Sequence, residues 1–329
     1  MRRREFIAGL GSAAAWPLPA RTQRVERVRR VGALIARAES DPAGQAMTAA
    51  FRRGLERLGW IEGKNIHIEF RYPAGDPALY RVHASELVAL APDAILAGAS
   101  PIVAALRPLT STIPIVFVLT ADPVAQGFVQ SLARPGGNIT GFAANDAPLM
   151  TKWLSLLKDV APSVSRVGVI FNPDTTPYAG LLNSAIVSAA PSFGITATLA
   201  PVRDDAEIER AIAAYGAQPG GALVILPETF AAAHRNTIAA AAKNYRLPTI
   251  GMTELLPQAG GLMTYYIDTI EVHAQAATYV DRILKGDQPA DIPVQNPTKF
   301  KFILNLKTAQ ALGLTIPPGV LAIVDEVIE

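Results

Sequence analysis

The sequence predicts an α/β protein of two lobes, each built on a parallel sheet with helices on both faces. Three observations lead there. Short runs rich in valine and isoleucine are continuously apolar, as strands buried on both faces are. Longer segments with helical periodicity separate these runs, so strands and helices alternate. Finally, the runs number about eleven, more than one doubly wound sheet of ordinary size holds, and 329 residues suffice for two cores.

Along the chain, strands are expected at 31–36, 66–71, 94–99, 115–119, 139–143, 167–171, 196–202, 222–226, 249–251, 261–265 and 302–306. The helix at 43–58 rests on a stripe of Met47, Ala50, Phe51, Gly54, Leu55 and Leu58, which repeats every three to four residues. Similar patterns predict helices at 77–90, 123–133, 149–160, 177–193, 205–215, 231–245 and 270–284. Several begin at or just after Pro or Asp, which suit a first turn. The break between lobes falls near 145–150, after the fifth strand.

Half the residues are hydrophobic and 18% are charged, which excludes a disordered chain. Met1–Arg4 is short and basic, and 6–18 is apolar and small, about the length of a signal-peptide core and too short to span a bilayer. Arg3-Arg4-Glu5-Phe6-Ile7 fits the twin-arginine export pattern. Residues 1–23 are therefore expected to form a leader, which points to export and a periplasmic location. The formal net charge is +2, and a leader ending near Ala20 would take Arg2, Arg3, Arg4 and Glu5 with it and leave basic and acidic side chains balanced. Such a body gives no electrostatic case for nucleic acid or an anionic membrane. The absence of cysteine excludes disulfides, thiolate catalysis, Cys-based metal centres and a lipid-modified N-terminal cysteine. Gly9-x-Gly11-x-x-Ala14 resembles a dinucleotide fingerprint but lies inside the leader, without the strand before it that the motif requires.

In open parallel sheets, ligands sit beyond the carboxyl ends of the strands, where helix N-termini point inward. The residues after those strands are polar: Ser100 with Pro101, then Thr120 and Asp122, Asn145, Asn172, Glu228 with Thr229, and Tyr265, Tyr266 and Asp268. Asp122 or Glu228 would pair with an ammonium group. The helix starts after Pro101 and Pro177 would hold a carboxylate, and Tyr265 or Tyr266 would offer a stacking face. The same residue types also serve as ordinary turn and N-cap residues. Their recurrence at most strand ends makes them a candidate site. No nucleotide-binding P-loop, metalloprotease or nucleophile-elbow motif is present. His67, His83, His234 and His273 are scattered, and Gly136-Gly137 reads as a tight turn before a strand. No catalytic group, metal or cofactor is expected.

Four segments carry a family resemblance. They are 54–71 (GLERLGWIEGKNIHIEFR), 113–141 (IPIVF, then DPV and GFVQSLARPGGNITG), 259–263 (AGGLM) and, from 279 to the end, YVDRILKG, PADIPV, PTKF, NLKTA, LGLTIP and DEVIE. They resemble the substrate-binding proteins of ABC transporters, including the tryptophan/tyrosine-type binding proteins. The resemblance implies the type I periplasmic-binding-protein fold, with two Rossmann-like lobes around a central cleft. It implies three crossovers, with 24–145 plus about 268–298 in one lobe and 146–267 plus about 299–329 in the other. It also implies a small polar solute, an amino acid and especially an aromatic one, bound by lobe closure by a monomer that delivers it to an ABC transporter permease. The sequence departs from the family at one place. Ser-Tyr-Gly usually follows Gly-Gly-Leu-Met, but Thr264-Tyr265-Tyr266 stands here. A sensing domain partnered with a signalling receptor and an α/β transferase are the alternatives. The first lacks a signalling module in this sequence and the second a convincing catalytic cluster.

Overall fold

In the computed structural model, the described residues are 27–144, 146–176, 179–251 and 254–329. Strands β1 (Arg29–Leu34), β2 (Ile66–Arg71), β3 (Ala94–Ala97), β4 (Ile115–Ala121) and β5 (Ile139–Ala144) form one parallel sheet in the order β2-β1-β3-β4-β5. Helices α1 (Pro42–Arg57), α2 (Pro77–Ala89) and α3 (Ser100–Leu106) connect its first four strands. Strand β3, in the middle of the sheet, is buried along its whole length, as a strand covered on both faces should be, and the edge strand β5 is equally buried, with Gln295 bridging to Phe142 on its free side. Strand β5 approaches β4 so closely that a Cβ on Gly141 would lie 2.0 Å from the carbonyl oxygen of Phe117, and φ there is +149°. Only glycine fits.

The second sheet has the order β12-β11-β10-β9-β8-β6-β7. Its strands are β6 (Arg166–Phe171), β7 (Thr196–Pro201), β8 (Gly221–Ile225), β9 (Thr249–Gly251), β10 (Met263–Ile267), β11 (Phe300–Asn305) and β12 (Glu326–Ile328). All pairs are parallel except β10 with β11. Helices α4 (Asp146–Val160), α5 (Ala179–Ala189), α6 (Asp205–Gly216), α7 (Thr229–Ala233), α8 (Arg235–Asn244) and α9 (Leu255–Gln258) join and cover the strands, with short α11 (Leu306–Ala311) and α12 (Pro318–Leu321) near the end. Fully buried Trp153 anchors α4, its indole N–H donating to the Tyr265 carbonyl at 2.7 Å.

After β10 the chain runs into α10 (Thr269–Leu284), which packs not on the second sheet but on α1 of the first. A Cβ on Gly54 would lie 2.7 Å from Cβ of Ala277 and 2.8 Å from the Ala274 carbonyl, so glycine sets the separation of α1 and α10. The following segment stays on the first sheet. The Thr140 hydroxyl donates to the Ile292 carbonyl at 2.6 Å, and the Ala143 N–H to the Gln295 carbonyl at 2.8 Å. The chain then returns as β11, antiparallel to β10. It passes between the sheets three times.

Three expectations need correction. Residues 123–133 are not a helix. Asp122 accepts the N–H of Ala125 and begins a turn, but Gly127 adopts φ +68° and stops it after one turn. Phe128 and Val129 then drop into the core of the first lobe. The helix expected at 231–245 is two, α7 and α8, broken at His234. The last strand is β12 rather than β11: its three residues are too few and too charged at their ends to read as a strand, and pairing with β11 stabilises them.

Candidate functional site

Carboxyl-end loops of both sheets and the first turns of α10 line one cleft of about 370 Å³. The first lobe contributes Ile35 and Arg37 after β1, Gly98 and Pro101 after β3, and Leu119 of β4. The second contributes Thr175 after β6, Glu228 after β8, and Arg235 at the start of α8. Thr269 and His273 come from α10. The walls are mostly apolar and the charges few, as in small-molecule sites generally.

Glu228 is the best-held of these charges. One carboxylate oxygen accepts the backbone N–H of Asn172 at 2.6 Å, and the other accepts the hydroxyls of Thr175 at 2.5 Å and Thr176 at 2.8 Å. Burial pushes its carboxyl above the usual range, and these three bonds work in the opposite direction. Arg235 donates to the Ala232 carbonyl at 2.8 Å. Arg37 is paired with Asp41 at 3.0 Å, and Asp41 in turn caps α1. The cleft therefore holds a buried carboxylate and a guanidinium, the groups that recognise the two ends of a zwitterion.

His273 is fully buried, and its Nδ1–H donates to the Thr269 carbonyl at 2.7 Å. Burial pulls its pKa down to about 4, so the ring is neutral at ordinary pH, and its Nε2 has no partner among the described residues. A neighbouring compartment of about 540 Å³ shares Asp41, Arg235, Leu255 and Thr269 with the cleft and adds Glu254, Tyr266, Asp268 and Lys301. Tyr266 is buried there. Burial first, and then the carboxylates of Glu254 and Asp268, push its phenol upward, so it stays protonated.

Of the residues picked out in the sequence, Pro101 and Glu228 line the cleft, and Tyr266 and Asp268 the neighbouring compartment. The others serve within their own lobes. The Ser100 hydroxyl accepts the N–H of Ala121 at 3.0 Å. Thr120 is wholly buried. Asp122 caps its turn, and the Asn172 side chain accepts the N–H of Asp174 at 2.8 Å. Tyr265 stacks on Phe300 with ring centroids 5.4 Å apart. Asp268 also caps α10 through the N–H groups of Ile270 and Glu271, and lies 3.5 Å from Lys301. Asn145, Pro177 and the side chain of Thr229 lie outside the described residues. Arg37, Leu119, Arg235 and His273 escaped the sequence reading. Arg37 follows β1, a strand tip like the others, and was the most accessible of them to that logic.

The family model described as "ABC transporter substrate binding protein" matches residues 34–328. The chain belongs to that family. It is a family of substrate-binding proteins rather than of enzymes. A tyrosine-binding protein of Clostridioides difficile (strain R20291) is 26% identical over 264 residues, 80% of this chain and 75% of that protein. The crystal structure of a conserved domain protein from Vibrio cholerae is 28% identical, with a TM-score of 0.82 over 92% of this chain and 100% of that one. A Streptococcus pneumoniae ABC domain in complex with L-Trp has the same TM-score at 24% identity, covering 91% and 99% of the two chains, and shares the fold. The two α/β lobes with parallel sheets are those of the type I periplasmic-binding-protein fold. Among the described residues, no helix is long and apolar enough to cross a membrane.

Proposed function

We propose that this ABC substrate-binding protein is the extracytoplasmic component of an import system and binds an amino acid, with an aromatic side chain favoured, between its lobes. One observation carries the reading: Glu228 and Arg235 stand in a single cleft whose other walls are mostly apolar. Glu228 receives the ligand's ammonium group and Arg235 its carboxylate, while the apolar wall takes the side chain. The tyrosine-binding relative and the tryptophan-bound neighbour supply the aromatic preference. Asn172 acts behind the surface by holding Glu228. Ser100, Thr120 and Asp122 shape the loops that border the first wall.

A ligand touching both lobes stabilises the closed form by its extra contacts there. The hinge is the crossover near 145, 268 and 299, which divides the chain into lobes of 24–145 plus about 268–298 and 146–267 plus about 299–329. Residues 1–23 direct export by the twin-arginine route, and the protein works as a monomer that presents its closed face to the permease.

A thermal-shift screen of purified protein against the common amino acids, sugars and nucleotides tests this. A ligand at 100 times its Kd adds about 2.7 kcal/mol. A shift confined to aromatic amino acids is expected. A shift with sugars or nucleotides alone, or with nothing in the set, would overturn the assignment.

A further inference from the structure

Strand β4 departs from regular geometry where it meets the cleft. Its register against β5 pairs Val118 with Phe142 and Thr120 with Ala143, leaving Leu119 as an extra residue, a β-bulge. Leu119 has φ +56°, in the left-handed region that disfavours L-residues and that bulges normally fill with glycine. The strain continues beyond it. The Thr120 hydroxyl is buried without a partner among the described residues, and Asp122 has φ +24°. Other non-glycine residues with positive φ have ordinary settings. Ala91 and Arg246 follow the ends of α2 and α8, where left-handed caps are common, and Ala74 lies in a turn. Leu119 alone among them interrupts a strand.

The consequence is a re-aimed side chain. Val118 and Leu119 are consecutive, yet both lie against the core between the first sheet, α1 and α10, which regular alternation forbids. Leu119 is only half-buried there, and its remaining surface faces the cleft opposite the wall that carries Glu228. A local rule broken in this way without a gain in packing marks a functional position.

We propose that Leu119 is a specificity-determining residue, held in a strained bulge so that its side chain packs against the apolar part of the ligand. The proposal rests on the cleft being the amino-acid site argued above. It makes Leu119 the counterpart, on the first lobe, of the charged groups on the second.

Two variants test it, Leu119→Ala and Leu119→Gly, with L-tryptophan, L-tyrosine and L-phenylalanine as probes in titration calorimetry. Both variants are expected to bind these probes about tenfold more weakly, or worse, because each loses the apolar contact. The ligand-free proteins give a second readout. Glycine is ordinarily less stable than alanine in a strand, but at a left-handed position the order reverses. Leu119→Gly should melt about 2 °C above Leu119→Ala. Equal affinity in wild type and both variants overturns the contact while leaving the amino-acid assignment standing. A lower Tm for the glycine variant overturns the strained bulge. Failure of the wild type to bind any of the three probes overturns the assignment of the cleft, and the contact with it.

Discussion

The backbone N–H of Asn172 donates to the carboxylate of Glu228 at 2.6 Å, joining the loop after β6 to the loop after β8. With the hydroxyls of Thr175 and Thr176 on its other oxygen, Glu228 is a carboxyl group fixed in position before any ligand arrives. Preorganisation of this kind removes an ordering cost from binding.

That arrangement makes the charge of Glu228 testable. Glu228→Gln keeps the shape and loses the charge. A hydrogen bond to a charged group contributes roughly 1.5–3 kcal/mol, so amino-acid affinity should fall about 10- to 150-fold, with the fold intact by circular dichroism. The same carboxyl has a raised pKa. Its ionised form is the one that pairs with an ammonium group, so wild-type affinity should weaken on acidification from a pH above the usual carboxylate range. The glutamine variant should lack that slope. Calorimetry between pH 4.5 and 7.5 checks both statements, and an unchanged affinity in the variant would count against the ammonium assignment.

Gly54 offers a test of the fold that spares the charged groups of the cleft. Gly54→Leu forces a side chain into a gap where even a Cβ would meet Ala277 and the Ala274 carbonyl below 3 Å. Overpacking of this kind costs roughly 1–3 kcal/mol. Urea denaturation should show that loss. Ligand affinity should move as well if α10, which bears Thr269 and His273, shifts with the strain. An unchanged midpoint would mean that α1 and α10 are not in the contact described.

The two-lobed fold was legible because its strands are continuously apolar. Val167–Phe171 and Ala94–Ala97 are flanked by strands on both sides and carry no polar residue that would obscure them. The site was legible only in outline. Glu228 stood out as a carboxylate at a strand tip, yet Ser100, Asp122 and Asn172 are polar residues at equivalent tips that turn inward to satisfy loop backbone, and Thr120 is buried with no partner for its hydroxyl among the described residues. Composition does not separate the two uses, because a polar side chain caps a turn and greets a ligand with the same atoms. Leu119 and His273 were invisible for the opposite reason. They look like core residues, and only a bulge and a helix crossing between lobes bring them to the cleft.

Tyr266 stands where the family usually has glycine, and the structure buries its ring beside the cleft rather than leaving it in solvent. Tyr266→Gly therefore differs from a neutral return to the family pattern. It empties a buried aromatic site, and losing a large buried side chain costs about 3–5 kcal/mol. Thermal unfolding should report a loss of that order, and Tyr266→Phe, which keeps the ring, should lose much less. A glycine variant as stable as wild type would show that the surrounding residues close over the gap.

His273 gives the clearest dependence of stability on pH. Its folded pKa is about 4, below the ordinary 6.5, because burial disfavours the charged ring. The unfolded chain then binds a proton that the folded one refuses between those two values, so stability rises with pH across that window. Going down in pH, stability is full above about 6.5 and falls progressively until about 4, below which this group adds no further slope. The total is of the order of 3 kcal/mol. His273→Gln does not titrate and should flatten this part of the profile. Glu228 acts in the opposite direction, since its raised pKa favours the folded state on acidification, so the comparison is made between wild type and variant at each pH. Urea midpoints at pH 4.5, 5.5, 6.5 and 7.5 measure it. Parallel profiles for the two proteins would show that the imidazole is not buried and neutral on α10.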